Sequence, residues 1–328
     1  MSENLMPSSV IANTAAKALP PLLLTAGLAG LTYAGICYAL YNYQSKLIFR
    51  PLPDIIKTPA EVGLAYEDVW IPVGQDKLHG WWLPNPGAQK TLLFCHGNYG
   101  NISYNLQRIL FHHSLGFSVL AFDYRGYGLS KVTESATEKP FGKSFGRSSN
   151  ELPSEFPSEQ STYADADAAW NYLVNQRQIS PAEITVCGHS MGGAIAIHLA
   201  TQQPDMARLI VKSSFTTMED AVHAKKIYNL FPIKQLLNHP FDSLSKVKNL
   251  KIPVLYVHGD QDFDVPSEFS KRLHAATPAP KQLWIAPGAD HNGISATQGE
   301  AYGAVVQAFC ADRQLQDVQL QNAQLQEA

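Results

Sequence analysis

From Pro53 onward, short apolar runs alternate with segments whose apolar positions recur at helical spacing. The runs are Tyr66–Val73, Leu78–Leu83, Thr91–Cys95, Ser118–Phe122, Ile184–Cys187, Leu209–Lys212, Val254–Val257 and Leu283–Ile285. Most are rich in Val, Ile, Leu and Phe without polar alternation, the pattern of strands buried on both faces. Between them the spacing predicts helices over Ile102–Ser114, Tyr163–Gln176, Met191–Gln203, Pro266–Ala276 and Gln298–Arg313. An initial pair of adjacent strands followed by strand–helix alternation predicts an α/β fold, a mixed but mostly parallel sheet of about eight strands with helices on both faces.

Three segments depart from this rhythm. Residues 131–157 are rich in Ser, Glu, Pro, Gly and Lys, show no apolar period, and read as a mobile insertion. Residues 217–250 read as one or two short helices broken by Pro232 and Pro240, a lid-like segment too short to form a cap domain. Phe231, Ile233, Leu236 and Leu237 are expected to form an apolar rim there. The Gln-rich tail, 312–328, places leucines at 315, 320 and 325, a spacing that fits neither a heptad nor a helical stripe, and is expected to fray.

The N-terminal pattern is of another kind. Leu22 to Leu40 contains no charged side chain and would span roughly 28 Å as a helix, about the hydrocarbon thickness of a bilayer. Tyr38, Tyr41 and Tyr43 follow as interfacial aromatics, then Lys46 and Arg50. A cleaved signal peptide would have a basic start, a shorter core and a small-residue cleavage site. Here only Lys17 precedes the stretch, which runs directly into tyrosines. The expectation is a single-pass membrane anchor over 22–43, after a flank at 1–21 and before an α/β domain at 44–311. Lys17 and the amino terminus nearly balance Lys46 and Arg50, so charge assigns no orientation.

Composition narrows the function classes. With 28 acidic and 25 basic side chains the net charge is −3, which supplies no excess of Lys and Arg to neutralise nucleic-acid phosphates. Charged residues are only 16% of the chain, consistent with much buried or lipid-facing surface. Cys37, Cys95, Cys187 and Cys310 are scattered without metal-ligand spacing, so neither a disulfide framework nor a zinc site is expected.

The chemistry concentrates in Gly188-His189-Ser190-Met191-Gly192-Gly193, which follows one predicted strand and opens a predicted helix. In that context a G-x-S-x-G turn lifts a serine hydroxyl clear of a sheet, at a helix N-terminus that favours negative charge. Serine needs a base to take its proton and a carboxylate to orient the base, in the chain order Ser, acid, His. After Ser190, three carboxylates (Asp260, Asp262 and Asp264) follow the predicted strand ending at Val257. Asp262 is the choice for the acid because it sits where the loop leaves the strand end, and the other two read as loop or capping residues. Only His274 and His291 come later. His274 falls in a predicted helix and reads as a surface residue, which leaves His291, in a Gly-containing loop after a strand, as the base. Asp290 beside it is given no catalytic role. The oxyanion donors are expected to be the N–H groups of Met191 and Asn98, the latter in the loop Cys95-His96-Gly97-Asn98-Tyr99-Gly100. His96 is expected to hold that loop by hydrogen bonds.

Together HGNYGN, FDYRGYGLS, PSEQSTYADADAAWNYL, GHSMGG, SSFTTMEDA, HGDQDFDVP, GADHN and QSKLIFRP resemble the α/β-hydrolase superfamily, and within it the membrane-anchored bud-emergence-protein subgroup, whose relatives include palmitoyl-protein thioesterases. The resemblance extends from about Lys46 to Ala311 and implies the α/β-hydrolase fold. It also implies Ser190 as nucleophile, Asp262 as acid, His291 as base, and Asn98 and Met191 as oxyanion hole. Two features depart from the subgroup: Tyr99 stands where a small residue is usual, and the insertion after GYGLS is extra. The implied activity is a serine hydrolase acting on acyl esters or thioesters at a membrane, with no metal and no organic cofactor. Rival readings are a ligand receptor or scaffold on the same fold, and an acyltransferase that shares every named residue.

Overall fold

The computed structural model describes residues 8–130, 157–311 and 318–320, with side chains from residue 25 onward in the first two ranges. Apart from Pro157, the insertion at 131–157 lies outside the described residues. The strands are β1 (Arg50–Pro51), β2 (Glu67–Val73), β3 (Asp76–Leu83), β4 (Thr91–Cys95), β5 (Tyr99–Gly100), β6 (Ser118–Phe122), β7 (Ile184–His189), β8 (Arg208–Lys212), β9 (Val254–Gly259), β10 (Lys281–Ala286) and β11 (Val318–Leu320). The helices are α1 (Ser8–Ile48), α2 (Leu106–Ser114), α3 (Glu159–Asn171), α4 (Met191–Gln202), α5 (Met218–His223), α6 (Ile233–Leu236), α7 (Ser243–Lys246), α8 (Glu268–Ala276), α9 (Ile294–Thr297) and α10 (Gly299–Ala311).

Nine strands form one sheet in the order β11-β10-β9-β8-β7-β4-β6-β3-β2. The β2–β3 and β3–β6 pairings are antiparallel and the rest parallel, so the sheet is mostly parallel, with one strand more than expected. The extra strand is β11, three tail residues that pair beside β10 where fraying was anticipated. Every residue of β4, β7 and β9 is buried, which is why these strands read as unbroken apolar runs rather than alternating ones. The sheet separates two cores. On one face Trp170 of α3, Ile195 of α4 and Leu273 of α8 pack together. On the other, Ile109 of α2 packs with Tyr302 and Phe309 of α10.

Strands β1 and β5 form a separate two-stranded parallel pair, Arg50 opposite Tyr99 and Pro51 opposite Gly100. This ties the end of α1 to the loop after β4. From residue 25 to 36 the side chains of α1 are exposed on every face, among them Leu28 at 67% and Leu31 at 73%. From Tyr33 onward the helix also meets the segment around α6. Tyr33 stacks on Phe231, Gln44 Nε2 donates to Leu236 O (2.9 Å), and Ser45 Oγ bonds His239 Nε2 (2.8 Å). Among the described residues no helix is long and apolar enough to cross a membrane. Leu22, Leu23 and Leu24, which open the apolar stretch, lie outside the residues whose side chains are described.

Candidate active site

Strand β7 ends at His189 and α4 begins at Met191, so Ser190 alone makes the turn between them. Its φ of 54° and ψ of −121° put a non-glycine residue at positive φ, a conformation costing of order 1–3 kcal/mol that persists only when neighbours enforce it. The neighbours are visible. Ser190 N–H donates to Lys212 O (2.9 Å), and Ser190 O accepts Gly193 N–H and Ser214 Oγ–H, each at 2.9 Å. A Cβ on Gly188 would lie 2.2 Å from Gly192 O, and one on Gly192 would lie 2.1 Å from Cys95 O. The glycines on either side of the serine are therefore required by backbone crossing backbone.

Ser190, His291, Asn98 and Met191 line one cavity of about 780 Å³. Asp262 lies behind His291, buried, and its Oδ2 accepts His291 Nδ1 at 2.7 Å. That bond occupies Nδ1 and leaves Nε2 as the ring nitrogen for exchange with a substrate-side proton. Burial alone would raise the Asp262 pKa. It is outweighed by hydrogen bonds from His258, His291 and the Val265 N–H, which hold the carboxyl well below the usual carboxylate range. The competing carboxylates behave otherwise. Asp260 is exposed and accepts Gly288 N–H (2.7 Å), and Asp264 is exposed on the cavity wall. Asp290 accepts the N–H groups of Asn292 (3.0 Å) and Gly293 (2.6 Å), shaping the loop that carries His291. His274 is buried rather than at the surface, because it lies on the inner face of α8 against the Tyr256 ring.

Met191 is the first residue of α4, so its N–H has no carbonyl of its own helix to bond. Asn98 is fixed by its other groups. Its Nδ2 donates to Ile48 O (2.7 Å), and its carbonyl accepts Arg50 N–H (2.8 Å) and Tyr127 O–H (2.9 Å). The neighbouring His96 is fully buried, with Nδ1 bonded to Gly97 O (2.7 Å) and its own carbonyl accepting Tyr124 O–H (3.0 Å). The loop is thus held from three sides, by the end of α1, by Tyr124 and by Tyr127. Tyr99, on the same loop, is about half exposed on the cavity wall, with Arg50 5.1 Å from its ring centroid.

Residues that the sequence did not single out complete the site. His258, at the end of β9, is buried. Its Nε2 faces two acceptors, Val265 O (2.7 Å) and Asp262 Oδ2 (3.1 Å), so that nitrogen carries the proton. His189 Nε2 bonds the carbonyl of His291 (3.1 Å) and so ties the loop that carries His291 to the serine turn. A signal for His258 was present, since it shares the HGDQDFDVP segment with Asp262. Nothing in sequence marks the role of His189. The opposite wall is apolar: Leu40 and Leu47 of α1, Phe215, Met218, Ile233 and Leu236. Ile233, Leu236 and Leu237 line the cavity as expected of the rim, whereas Phe231 is turned to Tyr33.

Comparison with known proteins agrees with this architecture. The alpha/beta hydrolase fold family matches residues 90–240. The uncharacterized protein Rv2307c of Mycobacterium tuberculosis is 32% identical over 302 residues, covering 90% of this chain and 96% of that protein. Protein bem46 of Schizosaccharomyces pombe is 27% identical over 319 residues, covering 93% and 98%. Among solved structures, the Pyrococcus furiosus esterase Pf2001 superposes with a TM-score of 0.61 at 22% identity, over 80% of this chain and 97% of that one. The chain belongs to the α/β-hydrolase family, alongside relatives that include bem46.

Proposed function

We propose that this hydrolase is a membrane-anchored serine enzyme that cleaves carboxylic esters or thioesters of acyl chains through an acyl-enzyme intermediate. The observation that carries the reading is the placement of Ser190, at positive φ on its one-residue turn, in a single cavity with a histidine whose far nitrogen is held 2.7 Å from a buried carboxylate. In the reaction Ser190 Oγ attacks the substrate carbonyl while His291 Nε2 takes the hydroxyl proton. Asp262 keeps Nδ1 protonated and stabilises the imidazolium. The N–H groups of Asn98 and Met191 receive the oxyanion, and removing one such donor typically costs about 100-fold or more in turnover. As the tetrahedral species collapses, the carbonyl–oxygen or carbonyl–sulfur bond breaks and His291 gives its proton to the leaving group. Water, deprotonated by the same nitrogen, then releases the acid and restores Ser190.

The apolar wall supports an acyl chain, since an alkyl group gains about 0.8 kcal/mol per buried methylene. The exposed apolar side chains of α1 between residues 25 and 36, Leu28, Leu31 and Ile36 among them, support the anchor, because a water-facing helix surface is ordinarily polar. The test uses the full chain in detergent micelles with p-nitrophenyl esters of graded acyl length, Ser190→Ala beside it, and a fluorophosphonate probe. Turnover and labelling that both vanish in Ser190→Ala are expected. Folded protein with neither would overturn the reading. Membrane fractions washed with alkaline carbonate test the anchor: the chain is expected to stay with the lipid, and its release would refute a spanning helix.

A further inference from the structure

Arg108 projects from α2 into the wall of the cavity that holds Ser190. Its partners are all neutral: Nη1 donates to Asn105 Oδ1 (3.0 Å), and Nη2 to Asn292 Oδ1 (2.7 Å) and more weakly to Asn292 O (3.4 Å). Its Nε is buried and has no hydrogen-bond partner among the described residues. No carboxylate there forms an ion pair with it; Asp290, whose charge acts on it, spends Oδ1 on the N–H groups of Asn292 and Gly293. A guanidinium carries five N–H donors in a planar fork suited to a two-oxygen anion, and a partly buried one is ordinarily paired. Here the fork is half filled.

The surroundings deepen the asymmetry. Burial, then the Arg108 charge, lowers the Lys212 ammonium to about 7 and, with His291 and Lys212 contributing, takes His189 well below its ordinary value. Fixed positive charge thus sits beside groups driven towards neutrality, and among the described residues no carboxylate lies within ion-pair distance of Arg108. Around the cavity, Arg50, Arg108 and Lys225 face a single acid, Asp264, so the lining is positive although the whole chain is negative. Position completes the argument. Arg108 is bonded to the residue after His291, and His291 is the group that must protonate the departing atom, so Arg108 flanks the leaving group. The acyl chain has the apolar wall of α1, α5 and α6 instead.

Resting on the hydrolase reading above, we infer that Arg108 binds an anionic group, a carboxylate or a phosphate, carried by the leaving group of the substrate. The enzyme therefore prefers acyl esters and thioesters whose departing alcohol or thiol is negatively charged. Bond making and breaking are unchanged; the charge adds a second point of attachment that aligns the scissile carbonyl over Ser190.

The test compares kcat/KM within two matched pairs, using the full chain in micelles. One pair is o-nitrophenyl octanoate and the same ester with a carboxylate on the ring. The other is 1-decanoylglycerol and 1-decanoylglycerol 3-phosphate. The wild type should favour the charged member of at least one pair by about tenfold or more, and the pair that responds tells carboxylate from lipid phosphate. In Arg108→Gln that ratio should fall to within about threefold of unity. Equal turnover of neutral and charged members by the wild type overturns the inference and leaves the hydrolase reading intact. So does a preference that survives Arg108→Gln, and so does a variant in which both members lose kcat together at constant ratio, which would make Arg108 only a brace for the His291 loop. Absence of Ser190-dependent turnover for all four esters would sink the hydrolase reading itself, and this inference with it.

Discussion

The Asp262 carboxylate oxygen that accepts His291 Nδ1 at 2.7 Å also lies 3.1 Å from Nε2 of His258. Two imidazoles thus converge on one oxygen, while Oδ1 takes the N–H groups of Asp264 (3.1 Å) and Val265 (2.8 Å). The carboxylate has no rotational freedom left. Its orientation is fixed by β9 and by the turn that follows, independently of the loop that brings His291.

Removing the His258 donor should therefore loosen the acid without touching substrate. His258→Leu is expected to lower kcat by about tenfold or more with little change in KM, the pattern of an interaction felt mainly in the transition state. His258→Gln, which can present an N–H from its amide, should recover part of that loss. Steady-state kinetics on one ester decide it, and equal rates for the two variants would show that the His258 bond does not matter.

Asn98 offers a second case in which the side chain and the backbone do different things. Its Nδ2–Ile48 O bond, 2.7 Å long, fixes the loop, whereas the proposed donor to the oxyanion is the N–H. Asn98→Ala keeps the N–H and loses the tether, so kcat should fall by about fivefold to fiftyfold, short of the loss expected when an oxyanion donor is deleted outright. Unaltered kcat would show that the end of α1 does not position the loop.

The serine turn should be intolerant of one methyl group. Gly192→Ala drives a Cβ to 2.1 Å from Cys95 O, so β4 and α4 must part at the centre of the sheet. A loss of stability of ~3 kcal/mol or more is expected, by thermal melts or as insoluble protein. A variant that melts like the wild type would mean the crossing is looser than this geometry.

Lys212 gives a pH signature. Burial, then the Arg108 charge, lowers its ammonium from 10.5 to about 7. Between those values the unfolded chain holds a proton that the folded chain does not. Its contribution to stability therefore rises with pH across the window, and the penalty is complete below about pH 7. Lys212→Met should raise Tm at pH 7 and flatten the rise in Tm between about pH 7 and 10. A parallel pair of Tm–pH curves would contradict this origin.

Sequence pattern located the strands of the sheet because most are buried on both faces and read as continuous apolar runs. Ser190, Asp262 and His291 drew attention for a related reason, since each follows a strand end among local turn residues; the structure brings His291 within 2.7 Å of Asp262 and into one cavity with Ser190. The supports were not legible. Tyr124 and Tyr127 lie in the turn that follows β6, and their hydroxyls reach across to His96 O and Asn98 O. Ile48 contributes a carbonyl, which no side-chain pattern can announce. His274 misled because one face of α8 is buried and a lone histidine does not say which face it occupies. The edge strand β11 escaped for another reason, since three residues pair through backbone groups that any sequence possesses.

Leu40, Gln44 and Leu47 of α1 stand in the cavity wall, and Ile48 holds the loop that carries Asn98. The end of α1 and the wall around Ser190 are therefore one mechanical body. A change in the tilt or length of that helix would reshape the apolar wall and shift the Asn98 loop together. Shortening α1 would then register, in the proposed reaction, as altered chain-length preference and slower chemistry, and not only as a lost N-terminal segment.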